Sequence, residues 1–392
     1  MTAPVADATA PVGSARPARL RELAWLFGKL GCIAFGGPAA HIAMMQHEVV
    51  TRRGWLTNDR FLDLVGATNL IPGPNSTEMA IHIGYERARW TGLLVAGVCF
   101  ILPAVAIVTA VAWVYVRFGT LPELAGVMYG VKPVIIAVIL QALWKLGRSA
   151  VTTPWLGAVG IAAMAANLAG VNELIVLAAA GAVVALARGA GTGRAAGWIP
   201  LPILGAGATG ASAAASIGLW PLFIVFLKSG ALLFGSGYVL LAFLRSDLVE
   251  HLHWLSEAQL LDAVAVGQVT PGPVFTTATF IGYILLGAPG AAIATLGVFL
   301  PAFVFVALSG PLIPRLRRSR IAGAVLDGVN VGSLALMAVV TLQLGRAVIV
   351  DPATAVLAAA SAVVLLRFKP NSAWLVLAGG GIGAAISYLG SR

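Results

Sequence analysis

Two tripeptides of unusual chemistry stand 199 residues apart, Pro72-Gly73-Pro74 and Pro271-Gly272-Pro273, each at the end of an apolar run. Proline has no N–H to donate and collides with the preceding turn. It also pushes the residue before it out of the helical region. A helix must therefore stop at each tripeptide, and the first restarts at about Asn75. Asn75, Ser76 and Thr77 are residues suited to capping that new start, and Thr276 and Thr277 bring hydroxyls to the second one. A helix that begins inside an apolar medium points free N–H groups and the positive end of its dipole at that depth, which suits an anion. A kink without a ligand is the plainer alternative. A second pair of breaks is expected at Phe35-Gly36-Gly37-Pro38 and Phe234-Gly235-Ser236-Gly237. Glycine there lets backbone approach either a ligand or a neighbouring helix. Were the four breaks to meet, they would line one cavity.

Charges near these breaks are few. Lys29 and Lys228 each lie six residues before the Phe of a Phe-Gly motif. A lysine central in a membrane span costs about 2.5–3.5 kcal/mol on insertion scales, so two symmetric ammonium groups suggest a counter-charge for a dianion. Snorkelling to the interface is the competing explanation. Asp63 and Asp262 recur nine residues before each Pro-Gly-Pro, as partners for the lysines, carriers of a coupling proton, or simple helix caps. Glu78, one turn beyond the first break, has no acidic counterpart and is a further candidate for coupling. His41 and His82 are likewise unpaired between the halves, and Trp55 and Trp254 suit interfacial anchors.

The elements that carry these residues must lie in a bilayer. Of 392 residues, 59% are hydrophobic and 10% charged, far fewer charges than a soluble domain carries. Thr91–Val116 and Ala291–Leu312 exceed the ~20 residues of a spanning helix, and Val134–Trp144, Val171–Ala187 and Val331–Leu344 are further candidates. About ten to thirteen hydrophobic passes are expected at that length. The net charge of +10 sits mostly at segment ends, so it reads as membrane topology rather than nucleic-acid binding. Cys32 and Cys99 are separated and read as small buried hydrophobes. No metal-ligand cluster, nucleotide-binding motif, cofactor site or nucleophile constellation stands out.

The duplication extends well beyond the tripeptides. Trp55-Leu56 recurs as Trp254-Leu255, Gly84-Tyr85 as Gly282-Tyr283, and Leu146-Gly147-Arg148 as Leu344-Gly345-Arg346. The chain divides into a disordered cytoplasmic tail (1–19), a first repeat (20–190), a Gly/Ala-rich linker (191–217) and a second repeat (218–392). Equivalent loops carry opposite charge bias. Arg87 and Arg89 have no counterparts in 285–290, whereas Arg315, Arg317, Arg318 and Arg320 face only Arg117. Positive loops stay in the cytoplasm, so an inverted repeat is expected. Residues 198–220 would supply the extra crossing. The predicted fold class is an all-α polytopic membrane protein of two homologous halves, with broken or re-entrant helices at the Pro-Gly-Pro and Phe-Gly motifs.

Together, Phe35-Gly36-Gly37-Pro38, Pro72-Gly73-Pro74 and Gly84-Tyr85, repeated in variant form in the second half, resemble the chromate ion transporter family in its long, two-domain form. The resemblance covers nearly everything after residue 20. It implies a secondary transporter that exports chromate across the bacterial inner membrane, confers chromate resistance and is subject to competition by sulfate. Ser236-Gly237 stands where the first copy has Gly37-Pro38, so the halves should differ at the site. A sulfate or oxyanion importer or channel is the alternative, and an intramembrane chromate reductase a more distant one. The oligomeric state is not readable.

Overall fold

A computed structural model describes residues 16–35, 37–118, 122–190, 217–233, 239–368 and 370–390. The first half comprises α1 (Arg16–Ile33), α2 (Gly37–Gln46) continuing into a π-helical turn (His47–Arg52), α3 (Asn58–Thr68), α4 (Asn75–Phe118), α5 (Pro122–Ala150), α6 (Pro154–Leu168) and α7 (Glu173–Ala190). The second repeats it with α8 (Leu219–Leu232), α9 (Leu240–Leu244) and its π-helical turn (Arg245–His251), and α10 (Glu257–Val269). A 3-10 turn (Val274–Thr276) then leads into α11 (Thr277–Arg318), α12 (Arg320–Val348), α13 (Pro352–Phe368) and α14 (Ser372–Gly390). α1 takes up the last residues of the stretch read as a tail. Equivalent positions cap equivalent helices. Thr57 Oγ1 accepts from the Arg60 N–H before α3, and Ser256 forms a capping box with Gln259 before α10.

The long α4 is two antiparallel arms, 75–88 and 90–118. The chain folds back at Ala88-Arg89, where Arg89 takes a left-handed φ of 56°. Gly84 lies so close to Gly92 that a Cβ on either would overlap the other's carbonyl. α11 folds back in the same way at Leu286-Gly287, with Gly282 against Gly290 and Thr279 Oγ1 2.7 Å from Thr295 Oγ1. Glycine is needed at these crossings because two backbones touch.

α3 has 11 residues, about 16 Å of helix, and the first arm of α4 is about 21 Å, each too short for the ~30 Å hydrocarbon core. They form a re-entrant hairpin. Arg60, near the start of α3, pairs with Glu86, near the end of that arm, so both outer ends lie at one face while Pro72-Gly73-Pro74 forms the buried tip. The tip lies at mid-depth, because Gly73 packs near Ala302, the middle of the long arm of α11, and Gly272 packs on Ala104, the middle of the long arm of α4. α1 and α2 make a second hairpin from the same face. Arg87 stacks over Trp55 with its guanidinium 4.8 Å from the ring centre and pairs with Glu22, while Gly31, near the far end of α1, meets Phe100 at mid-depth. Several of the passes expected from hydropathy are thus half-depth excursions.

From that face the long arm of α4 crosses to the opposite one. There Tyr115 meets Asp262 on α10 and Phe280 on the first arm of α11. The second half therefore enters from the opposite face, and the repeat is inverted, as the loop charges predict. α5, α6 and α7 return the chain to the first face, where Arg188 pairs with Asp327. The second half begins at the other. Most of residues 198–220, expected to supply the extra crossing, lie outside the described residues.

The halves interlock. α5 is clasped by α13 and α14 of the other half, and α12 by α6 and α7. Glycines 126 and 130 abut glycines 379 and 383, and Gly328 packs on Ala180 in the equivalent place. Such small-residue seams drive helix association where burial from water cannot. Leu102, Leu186, Val356 and Phe368 lie exposed on the outside, as a lipid-facing surface requires. Cys32 is exposed too, which corrects its reading as a buried hydrophobe, and both cysteines are free.

Candidate functional site

The broken helices of the two halves are joined by a matched pair of hydrogen bonds. The Gly73 N–H donates to the Leu233 carbonyl at 2.7 Å, and the Gly272 N–H donates to the Ala34 carbonyl at 2.9 Å. Gly73 and Gly272 are equivalent, as are Ala34 and Leu233, so each Pro-Gly-Pro tip docks on the end of the other half's first helix. Both tip glycines have positive φ, 138° and 92°, which leaves their N–H groups free to point across the interface. His41, unique to the first half, places Nε2 3.0 Å from that same Ala34 carbonyl. Gly37, with φ 77°, starts the return helix α2. Gly36, Gly235 and Ser236 lie outside the described residues.

Around this junction the halves differ. The first break opens into a cavity of about 370 Å3 lined by Thr68, Asn69, Asn75, Ser149, Asn330 and Ser333. Its polar groups are neutral: amides and hydroxyls, arranged around the start of α4. The helix restarts at Asn75, as expected, but Pro74 holds the cap position and accepts from the Glu78 N–H at 3.0 Å, while Asn75 Nδ2 donates to Asn69 Oδ1 at 2.8 Å instead of capping. Ser333 is 2% exposed, yet its hydroxyl has no partner among the described residues. Ser76 and Thr77 are buried in the first turn, and the Thr77 hydroxyl is also without a partner there. The second break is closed. Pro271, Gly272 and Pro273 are buried, and Thr276 and Thr277 donate back to the carbonyls of Pro273 and Val274, both at 2.8 Å. Their hydroxyls are spent on their own turn, so they are not the outward donors expected of them.

The recurring lysines do not line the cavity. Lys29 Nζ lies 3.5 Å from Glu48 Oε1, and Lys228 Nζ lies 2.7 Å from Asp247 Oδ1. Glu48 and Asp247 are themselves 199 residues apart, so these are one ion pair repeated, joining the two helices of each outer hairpin. Arg52 and Arg53 also pair with Glu48. Burial works against its charge, but these cations, Arg53 foremost, hold the carboxyl below its usual range. Nor do the aspartates meet the recurring lysines. Asp262 is buried and pairs with Lys132 at 3.2 Å, while Asp63 is exposed on α3. Glu78 is fully enclosed behind the first tip. Its carboxyl packs on Gly73, where a Cβ would overlap Oε1, and neither oxygen has a hydrogen-bond partner among the described residues.

Each Pro-Gly-Pro hairpin thus docks on the first helix of the opposite half, a paired arrangement that the known relatives bear on. The model of the chromate transporter family matches twice, over residues 21–186 and 220–384. The chain belongs to the chromate transporter family. It is 34% identical to a chromate transport protein of Cupriavidus metallidurans over 99% of both chains. It is 30% identical to a chromate transport protein of Pseudomonas aeruginosa, covering 82% of this chain and 80% of that one. An uncharacterized transporter of Methanocaldococcus jannaschii is 25% identical over 90% of each. No solved structure matches the chain.

Within this family member, sequence reasoning passed over Ser333, Asn330, Lys132 and Tyr115. Asn330 and Lys132 occupy equivalent positions, 198 residues apart, but their types differ, so a search for repeated residues misses both. The Glu48–Asp247 recurrence was available as a signal. An acid kept at the same offset as a lysine marks a structural pair.

Proposed function

We propose that the chain is a secondary transporter that exports chromate from the bacterial cytoplasm, with sulfate competing for the same site. The carrying observation is the junction of the broken helices with its open, neutral-polar cavity at the first break. A tetrahedral dianion suits that cavity, because amide and hydroxyl donors and a helix start can bind it without a resident charge that would hold it too tightly. Lys29 and Lys228, considered as substrate ligands, are better assigned to hairpin cohesion.

Topology supports that direction. The first face bears Arg19, Arg52, Arg53, Arg60, Arg87 and Arg89, so it is assigned to the cytoplasm of a bacterial inner membrane. Ser149, near the end of α5, puts the mouth of the first-break cavity on that side. A dianion leaving an inside-negative cell gains about 2.3 kcal/mol per charge per 100 mV, enough to drive export without nucleotide hydrolysis. Glu78, enclosed at the junction, is the carboxyl best placed to exchange a proton, ahead of exposed Asp63 and ion-paired Asp262.

Labelled chromate flux into sealed everted vesicles, with the potential clamped, tests this. Uptake that grows with an inside-positive vesicle potential and is inhibited by sulfate is expected. Flux that ignores the potential, or runs only in right-side-out vesicles, would contradict it. Sulfate uptake by right-side-out vesicles without chromate export would favour an importer instead.

A further inference from the structure

The inverted symmetry that places the neutral cavity on the cytoplasmic side has a counterpart on the other. Rotating the halves onto each other carries Asn330 onto Lys132, and Ser149 and Ala150 onto Ala347 and Val348. Lys132, Ala347 and Val348 line a cavity of about 390 Å3 at the opposite face, together with Tyr115, Tyr129 and Asp262. This cavity is charged where the first is neutral. Lys132 enters from α5 and lies 3.2 Å from Asp262 Oδ1, while the Tyr115 hydroxyl donates to Asp262 Oδ2 at 2.8 Å. Asp262 is 5% exposed, and its Oδ1 meets the lysine as a charge contact rather than a well-formed hydrogen bond. Tyr129 donates to Asp351 at 2.6 Å at the rim.

We propose that this cavity is the exit station for the oxyanion, with Lys132 its ligand and the Asp262 carboxylate a resident competitor that displaces the departing ion. An ammonium and a phenol already converge here on the two oxygens of a carboxylate, which is the donor set a tetrahedral oxyanion would need. A lysine alone at the exit would retain a dianion and would also capture external sulfate. A carboxylate held beside it by Tyr115 restores the pair as the ion leaves and keeps the exit in a low-affinity state. No equivalent is needed on the intake side, where Asn330 replaces the lysine. The inference rests on the export reading above, because it assigns this face to release.

The test is inhibition of chromate efflux from the outer face by external sulfate, with detergent-purified protein used in parallel for direct binding of labelled sulfate. Removing the competitor in Asp262→Asn should lower the inhibitory sulfate concentration by about tenfold or more, the scale of one lost charge–charge contact in a partly solvated site. Maximal efflux should fall as release slows. Lys132→Gln should abolish the gain in the double variant, and Lys132→Arg should preserve it. Unchanged sulfate inhibition in Asp262→Asn that still binds sulfate and exports chromate would overturn the exit station while leaving the export reading intact. Absence of chromate flux in the unsubstituted protein would instead overturn that reading.

Discussion

Gly73 is the residue on which most of the site depends. It has a positive φ, donates across the interface to Leu233, and leaves no room for a Cβ because the Glu78 carboxyl packs against it. Gly73→Ala should therefore cost about 1–3 kcal/mol through backbone strain alone and abolish transport, read as a lowered thermal midpoint with no chromate flux. Ser333 makes the opposite test. Its unpartnered hydroxyl lines the cavity, so Ser333→Ala removes a proposed ligand group without breaking any described bond. Stability should stay within about 0.5 kcal/mol of wild type, while KM for chromate should rise severalfold. A drop in stability with KM unchanged would mean that the hydroxyl serves packing. Residue types at the breaks were legible, since two prolines flanking a glycine stop a helix, whereas single prolines such as Pro103 and Pro133 are carried within α4 and α5. The partners of Lys29 and Lys228 were not, because a carboxylate 19 residues away becomes a neighbour only once the hairpin closes.

At the scale of elements, the decisive feature is that α3 and the first arm of α4 turn back instead of crossing. An 11-residue helix with one apolar face looks the same in sequence whether it is half of a broken span or one limb of a hairpin. Hydropathy therefore counted passes that the structure resolves as re-entrant. The direction is set by tertiary contacts such as Arg60–Glu86 and by the glycine crossing at Gly84 and Gly92. The ion pair is half exposed on its Arg60 side and should contribute little, about 0.2–1 kcal/mol. The crossing should matter far more, since neither backbone can withdraw from a new side chain. Gly84→Val should cost well over about 1–3 kcal/mol, the usual penalty for overpacking, and yield aggregated protein on size-exclusion chromatography. Arg60→Ala should leave a monodisperse protein with nearly the same melting temperature.

For the whole molecule, duplication and inversion were both readable. The first appeared as Trp, Pro and Gly kept at one offset, and the second as opposite charge on equivalent loops. Interlocking of the halves was not readable, because it depends on α5 choosing α13 and α14 over its own α6 and α7, and small residues occur on all of them. The asymmetry between an open neutral cavity and a closed second break also lay beyond the sequence, since Asn330 and Lys132 show no kinship until symmetry superimposes them. The central claim is that the first-break cavity takes an oxyanion from the cytoplasmic face. Its most direct test is the reactivity of a cysteine at position 69, where exposed Asn69 lines that cavity, in protein whose Cys32 and Cys99 have been replaced by serine, toward a membrane-impermeant thiol reagent. The account predicts labelling in everted but not right-side-out vesicles, slowed by sulfate. Labelling from the outer face, or a rate that sulfate leaves unchanged, would contradict it.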